Sequence, residues 1–198
     1  MNLPNKITVG RMVISFAVLV LLLLPWSQLG VHFPVYTING NIILNLKMLI
    51  AGGLFVVGSV TDFLDGHIAR SRGIVTDFGK VMDAIADKIL VNGVLIILAY
   101  EGMISIIIPV VIITRDTIVD SCKMISGNKG KVVAASIMGK LKTICMMVGL
   151  SLTMFYNLPF EMLGVPVARV LLIIATILSV ISGIQYFNNS KELFMNDK

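Results

Sequence analysis

Four aspartates lie close together in an otherwise apolar part of the chain: Asp62, Asp65, Asp83 and Asp87. The first two are spaced i, i+3 and the last two i, i+4, so each pair projects from one face of a helix. A short turn around residues 71–76 can bring the two faces together. Four carboxylates in a low-dielectric setting repel one another unless they are protonated or bind cations. The pattern therefore predicts a site for two hard divalent cations, which prefer oxygen ligands.

The alternative is that these aspartates cap helices or form interfacial ion pairs with nearby basic residues, namely Arg70, Arg72, Lys80 and Lys88. Carboxylates within a membrane region are costly and usually functional. Four of them at this spacing favour the metal site.

The composition indicates which elements position these residues. Of 198 residues, 57% are hydrophobic and 14% charged, whereas about a quarter are charged in an average soluble domain. This excludes a soluble globular domain and disorder. Six spans of roughly 20 residues fit this length, whereas nine would leave almost no connections. The sequence predicts an all-α integral membrane protein, one domain over 1–198, with a short interfacial helix at 1–11 and spans near 10–29, 42–61, 81–100, 102–120, 139–157 and 165–187.

The net charge of +5 would suggest a nucleic-acid partner in a soluble protein, but in a membrane protein the basic residues first mark topology. The turns at 30–41, 101–102 and 157–163 contain no Lys or Arg, whereas the termini and other connections hold nearly all of them. The positive-inside rule predicts a multi-pass cell-membrane protein with both termini and the aspartates on the cytoplasmic side. No nucleic-acid partner is expected. Cys122 and Cys145 form no CxxC pair, so neither a disulfide framework nor a zinc site is predicted.

The residues between the aspartates complete a longer pattern, D-x2-D-G-x2-A-R-x8-G-x3-D-x3-D, with Gly66, Ala69, Arg70 and Gly79 at its other defined positions. This pattern resembles the signature of the CDP-alcohol phosphotransferase family. Those proteins are membrane enzymes with six transmembrane helices that transfer a phosphatidyl group from a CDP-activated lipid to an alcohol. One departure is Ala84, where many such enzymes have proline after the third aspartate.

The resemblance implies roles for individual residues. Asp62, Asp65 and Asp83 would hold two Mg²⁺ or Mn²⁺ ions, while Asp87 would contribute to the second metal and act as general base. Homodimers are common in the family, so a homodimer is expected. The CDP-diacylglycerol would be contacted by Asn5, Thr8, Gly66, Ala69, Arg70, Thr76 and Gly79.

The acceptor alcohol is indicated by further basic residues. A phosphorylated acceptor needs cations, which are costly near a membrane without an anionic ligand. Arg115, Lys140 and Lys142 lie on the same predicted side as the aspartates. Thr114-Arg115-Asp116 and the segment 139–143 resemble the bacterial family members whose acceptor is glycerol 3-phosphate, which implies phosphatidylglycerophosphate and CMP as products.

Other functions remain open at this point. Within the same family the acceptor could be inositol phosphate or serine. A membrane prenyltransferase also binds pyrophosphate through paired aspartate motifs, but it needs about nine spans. A divalent-cation channel or transporter would distribute its acidic residues through the bilayer or show internal repeats, whereas these aspartates cluster at one side.

Overall fold

Long apolar runs fold into six α-helices in the computed structural model, which describes residues 3–38, 42–71, 77–128 and 136–195. Within these ranges only the backbone is described at 3–7, 63–71, 190–195 and at positions 77, 78, 80, 81, 83 and 128. The helices are α1 (Leu3–Leu23), α2 (Leu46–Ser71), α3 (Asp77–Tyr100), α4 (Ile107–Asn128), α5 (Ile137–Met154) and α6 (Val167–Met195). A short 3-10 turn, Phe160–Leu163, connects α5 to α6.

Residues 3–11, the described part of the predicted interfacial helix, do not form a separate helix. They are the first turns of α1, which runs without a break from Leu3 to Leu23. Pro4 is tolerated because the first turn of a helix needs no backbone N–H donor. Thr8 and Arg11 are buried, so this part of α1 packs on the protein and continues directly into the apolar segment.

A two-stranded hairpin replaces part of the predicted outer turn. The strands β1 (Val35–Ile38) and β2 (Ile42–Asn45) pair antiparallel, with Val35 opposite Asn45. The apolar run from residue 42 therefore begins as a strand and becomes helical only at Leu46. Asn45 marks the change, because its side chain accepts a hydrogen bond from the backbone of Lys47 and its own N–H donates to the Tyr156 hydroxyl.

The core lies between helices that touch along their small residues. Phe55, Leu95 and Leu150 are fully buried within one apolar cluster. At Gly149 of α5, an added Cβ would lie 3.0 Å from the side chain of Leu172 on α6. Close approach at small residues is how membrane helices gain packing energy, since lipid offers no hydrophobic driving force between them.

A buried amide closes the connection between α5 and α6. Asn157 donates to the Glu161 carboxylate and the Val165 carbonyl oxygen, at 2.9 and 2.8 Å, and accepts from the Ala168 N–H at 3.0 Å. Because the Asn157 N–H also donates to the Leu152 carbonyl oxygen, the end of α5 is linked to the first turn of α6. Without Asn157, the Val165 carbonyl oxygen and the Ala168 N–H would each lack this hydrogen-bond partner.

Two of the described helices are long and apolar enough to cross a membrane: Ile137–Met154, which is all of α5, and Val167–Asn189 of α6. Thr8–Leu23 of α1 is a shorter apolar segment. Large apolar side chains also face outward, among them Val13, Ile144 and Ile177, each more than half exposed. Exposed apolar surface on this scale suits lipid rather than water.

Candidate active site

Two uninterrupted helices carry the four aspartates. Asp62 and Asp65 lie on the last three turns of α2, and Asp83 and Asp87 lie on the first three turns of α3. The i, i+3 and i, i+4 spacings therefore fall on regular helix, which puts each pair on one helix face. The side chains of Asp62 and Asp87 are described, whereas those of Asp65 and Asp83 are not.

The other motif residues lie on the same two helices. Gly66, Ala69 and Arg70 belong to α2, with only their backbone described, and Gly79 lies in the first turn of α3. Thr76 lies outside the described residues, and so does the side chain of Asn5. Their predicted contacts with a CDP-lipid stay predictions.

Asp62 is bound by an arginine from another helix. The guanidinium of Arg11 on α1, which is 1% exposed, forms an ion pair with the Asp62 carboxylate. Thr8 lies one turn before Arg11 and is also buried. Arg11 is not among the four basic residues that the sequence analysis considered as ion-pair partners of the aspartates. Its ion pair places the first half of α1 beside Asp62. Lys88, one of those four, pairs with Asp120 on α4.

The chemistry of the donors fits divalent cations. The motif supplies carboxylate oxygens, which suit Mg²⁺ and Mn²⁺ better than nitrogen or sulfur ligands do. Asp62 remains 35% exposed despite its ion pair, so its carboxylate is open to a second cation. Among the described side chains, which do not include Asp65 and Asp83, no group of three metal ligands occurs.

A second polar cluster joins α4 to α5. Lys142 donates from Nζ to both carboxylate oxygens of Asp116, at 2.6 and 2.8 Å, and Arg115 Nη1 donates to the same carboxylate at 2.8 Å. The Lys142 side chain is only 5% exposed. The Asp87 carboxylate also acts electrostatically on Lys142. The structure thus brings together Arg115 and Lys142 around one carboxylate.

Lys140 is the exception among the predicted acceptor-binding residues. It lies two positions before Lys142 on α5, which turns it to another face of the helix. Its side chain is exposed, whereas Lys142 is buried. Burial therefore separates these two lysines, which the sequence alone treats alike.

Helix α6 contributes residues that the sequence analysis missed. They lie at the i, i+3, i+4 and i+7 positions of one helix face: Ser179, Ser182, Gly183 and Tyr186. The two serines accept hydrogen bonds from Arg115, Gly183 lies against its stem, and the ring of Tyr186 lies near its guanidinium. The signal that could have found them is this polar and small stripe on one face of an apolar helix, since polar groups inside a membrane need partners.

A cavity of about 630 Å³ lies at the other end of the bundle. Its lining includes Gly102 just beyond the end of α3, Asn157 just beyond the end of α5, and Arg169 in the first turn of α6. Tyr100, the last residue of α3, follows Asp87 by 13 positions, which corresponds to a helical rise of about 20 Å. None of the predicted site residues whose side chains are described lines this cavity.

Apolar helices that carry a motif of four aspartates and two cationic side chains around one carboxylate are typical of a helical membrane enzyme. Residues 1–181 match the CDP-alcohol phosphatidyltransferase family, and the chain belongs to that family. Its members use divalent cations. The expected family is therefore confirmed.

Several relatives carry the name of one activity. The chain is 36% identical to CDP-diacylglycerol--glycerol-3-phosphate 3-phosphatidyltransferase of Bacillus subtilis (strain 168), over 96% of each chain. It is 39% identical to the protein of the same name from Mycoplasma genitalium, over 78% of this chain and 65% of that protein.

A solved structure shows the same fold. The crystal structure of Mycobacterium tuberculosis phosphatidylinositol phosphate synthase matches 95% of this chain and 88% of that one, with a TM-score of 0.59 and 19% identity. That protein and the Bacillus subtilis relative are named for different acceptors. The acceptor must therefore be inferred from side chains rather than from the fold.

The first prediction concerns the counter-ion of Lys142. Asp116→Asn should lower the free energy of unfolding by about 2 kcal/mol, because a hydrogen bond to a charged group contributes about 1.5–3 kcal/mol and the substitution removes the counter-charge of the buried Lys142 ammonium. The measurement is the unfolding midpoint in detergent micelles, with and without Lys142→Met. The control is Asp120→Asn, whose lysine partners are half-exposed and whose effect should stay below about 1 kcal/mol. Equal effects of the two substitutions would contradict the prediction.

Proposed function

We propose that the protein transfers the phosphatidyl group of CDP-diacylglycerol to sn-glycerol 3-phosphate, giving phosphatidylglycerophosphate and CMP. The observation that carries this proposal is the complete acidic motif on α2 and α3 in a chain of this family. The names of the Bacillus subtilis and Mycoplasma genitalium relatives support the acceptor. So does the cation pair of Arg115 and Lys142, since a phosphorylated acceptor needs such donors.

The donor lipid is assigned to the acidic motif. Asp62, Asp65, Asp83 and Asp87 would hold two ions, Mg²⁺ or Mn²⁺, which when bound neutralise pyrophosphate charge and stabilise the departing CMP. Gly66 and Gly79 have no side chain, so a nucleotide can approach the helix backbone there. The remaining contacts to CDP-diacylglycerol are assigned to Asn5, Thr8, Ala69, Arg70 and Thr76.

The acceptor is assigned to the second cluster. Arg115 and Lys142, with Lys140 at the edge, would bind the phosphate of glycerol 3-phosphate through charge-assisted hydrogen bonds. Asp87 would take the proton from the acceptor hydroxyl as that oxygen attacks the lipid-linked phosphorus. The electrostatic interaction between Asp87 and Lys142 supports this arrangement.

The proposal includes the placement of the protein. Six helices would span the cell membrane, with both termini and the acidic motif cytoplasmic, and the chain would form a single domain that pairs as a homodimer. The distribution of Lys and Arg supports the orientation. The overlap of α1 to α6 with the six apolar blocks supports the number of spans.

The second prediction tests the reaction. Purified protein with CDP-diacylglycerol and Mg²⁺ or Mn²⁺ should release CMP with glycerol 3-phosphate, but not with inositol, inositol phosphate or serine. Chelation by EDTA should abolish release, and adding either metal back should restore it. No CMP release with any acceptor would refute the enzymatic proposal, and release with inositol phosphate or serine alone would reassign the acceptor.

The third prediction tests the general base. Asp87→Asn should reduce kcat by about 10²–10⁴-fold, the usual contribution of a general base, while much of the nucleotide binding is retained. Turnover and the binding of CDP-diacylglycerol are measured separately. Asp120→Asn is the control, since Asp120 lies on α4 outside the motif. Activity like that of the unmodified protein in Asp87→Asn would remove Asp87 as the base.

The fourth prediction compares the two lysines of α5. Lys142→Ala should raise KM for glycerol 3-phosphate by about tenfold or more, because a hydrogen bond to a charged group contributes about 1.5–3 kcal/mol. Lys140→Ala should raise it less, since its side chain is exposed and more fully solvated. KM for CDP-diacylglycerol should change little in either variant. Equal changes in both KM values would contradict the assignment of Lys142 to the acceptor.

A further inference from the structure

The guanidinium of Arg115 on α4 is held by two residues of α6 and by Asp116 of its own helix. Its Nε donates to the carbonyl oxygen of Ser179 at 3.1 Å, and its Nη2 donates to Ser182 Oγ at 2.7 Å, both on α6. Its Nη1 donates to Asp116. A guanidinium has five N–H donors, and these described partners use three of them. Two donors, one on each Nη atom, are left for a ligand.

The hydroxyl of Ser182 is itself fixed in orientation. It donates to the Leu178 carbonyl oxygen at 2.7 Å, one helical turn earlier. Because a hydroxyl has one hydrogen and two lone pairs, this bond leaves a lone pair to accept from Arg115. Ser182 lies in an apolar helix and is buried, and its hydroxyl uses both its donor and an acceptor position.

The stem of Arg115 lies directly against the backbone of α6 at Gly183. A Cβ atom built at Gly183 would lie 2.9 Å from Cγ of Arg115, closer than real Cβ contacts come. The ring of Tyr186 follows one turn later, with its centroid 5.9 Å from the guanidinium carbon. The lack of a side chain at Gly183 is therefore required for the observed position of Arg115.

We propose that Ser182 and Gly183 are positioning residues of the acceptor site: they orient the Arg115 guanidinium so that its two remaining donors face the acceptor phosphate. This inference rests on the proposed function. It makes α6, which carries none of the aspartates, a determinant of affinity for glycerol 3-phosphate. The effect passes through Arg115, because bidentate recognition of a phosphate depends on the plane of the guanidinium.

The experiment measures kcat and both KM values for the full-length enzyme in mixed micelles of detergent and lipid. Ser182→Ala should raise KM for glycerol 3-phosphate about three- to tenfold, in the range of one lost hydrogen bond. Gly183→Ala should raise it at least as much by displacing Arg115. In both variants KM for CDP-diacylglycerol should stay within about twofold, because charge-assisted contacts to the donor lipid are made elsewhere.

Matched controls separate positioning from general damage. Ser151→Ala removes a hydroxyl of α5 that bonds only a carbonyl of its own helix among the described contacts, and Gly53→Ala adds a Cβ with nothing within 4 Å. Both should leave the KM values unchanged. In an Arg115→Ala background, Ser182→Ala should add no further increase.

The outcomes distinguish this inference from the function on which it rests. If Arg115→Ala raises KM for glycerol 3-phosphate but the α6 variants behave like their controls, the positioning role is overturned. Equal increases in both KM values also overturn it. If Arg115→Ala changes neither KM, the acceptor assignment of the proposed function fails, and the inference fails with it.

Discussion

The carboxylate of Asp116 carries the interaction on which this end of the molecule depends. A lysine ammonium as buried as that of Lys142 is tolerated only with a counter-charge and satisfied hydrogen bonds, and Asp116 supplies both. The same carboxylate binds Arg115, whose other nitrogens reach α6. One acidic side chain therefore brings α4 and α5 together and, through Arg115, connects them to α6.

Pairs of charged side chains determine which helices of this bundle lie next to each other, which apolar packing in lipid does not. Leu, Ile and Val side chains gain little by exchanging lipid for one another, so they favour contact without fixing which helices meet. Ion pairs in a low-dielectric region have few acceptable partners and select one arrangement. Arg11, which is buried, connects α1 to α2 in this way through Asp62. Lys88 and Asp120 also connect α3 to α4, but as a half-exposed pair that selects less strongly.

The helices and the acidic motif could be predicted because both depend on the spacing of residues that are close in sequence. Helix periodicity gives the faces of the aspartate pairs, and the apolar blocks give the approximate places of the six helices. The hairpin could not be predicted, since the apolar run of β2 reads like the beginning of α2. The contact of Arg115 with Ser182 joins residues 67 positions apart, which no local pattern reports. Burial separates Lys142 from Lys140, and burial follows only from packing. The roles of Asp65 and Asp83 stay predictions.

The Asn157 amide restricts how α5 and α6 can move relative to each other. At one end this amide fastens the last turn of α5 to the first turn of α6. At the other end Lys142, Asp116 and Arg115 link the same two helices through α4. Two helices fastened at both ends cannot pivot about either end alone. A change in the spacing of these two helices at either end would therefore require one of the two sets of contacts to break.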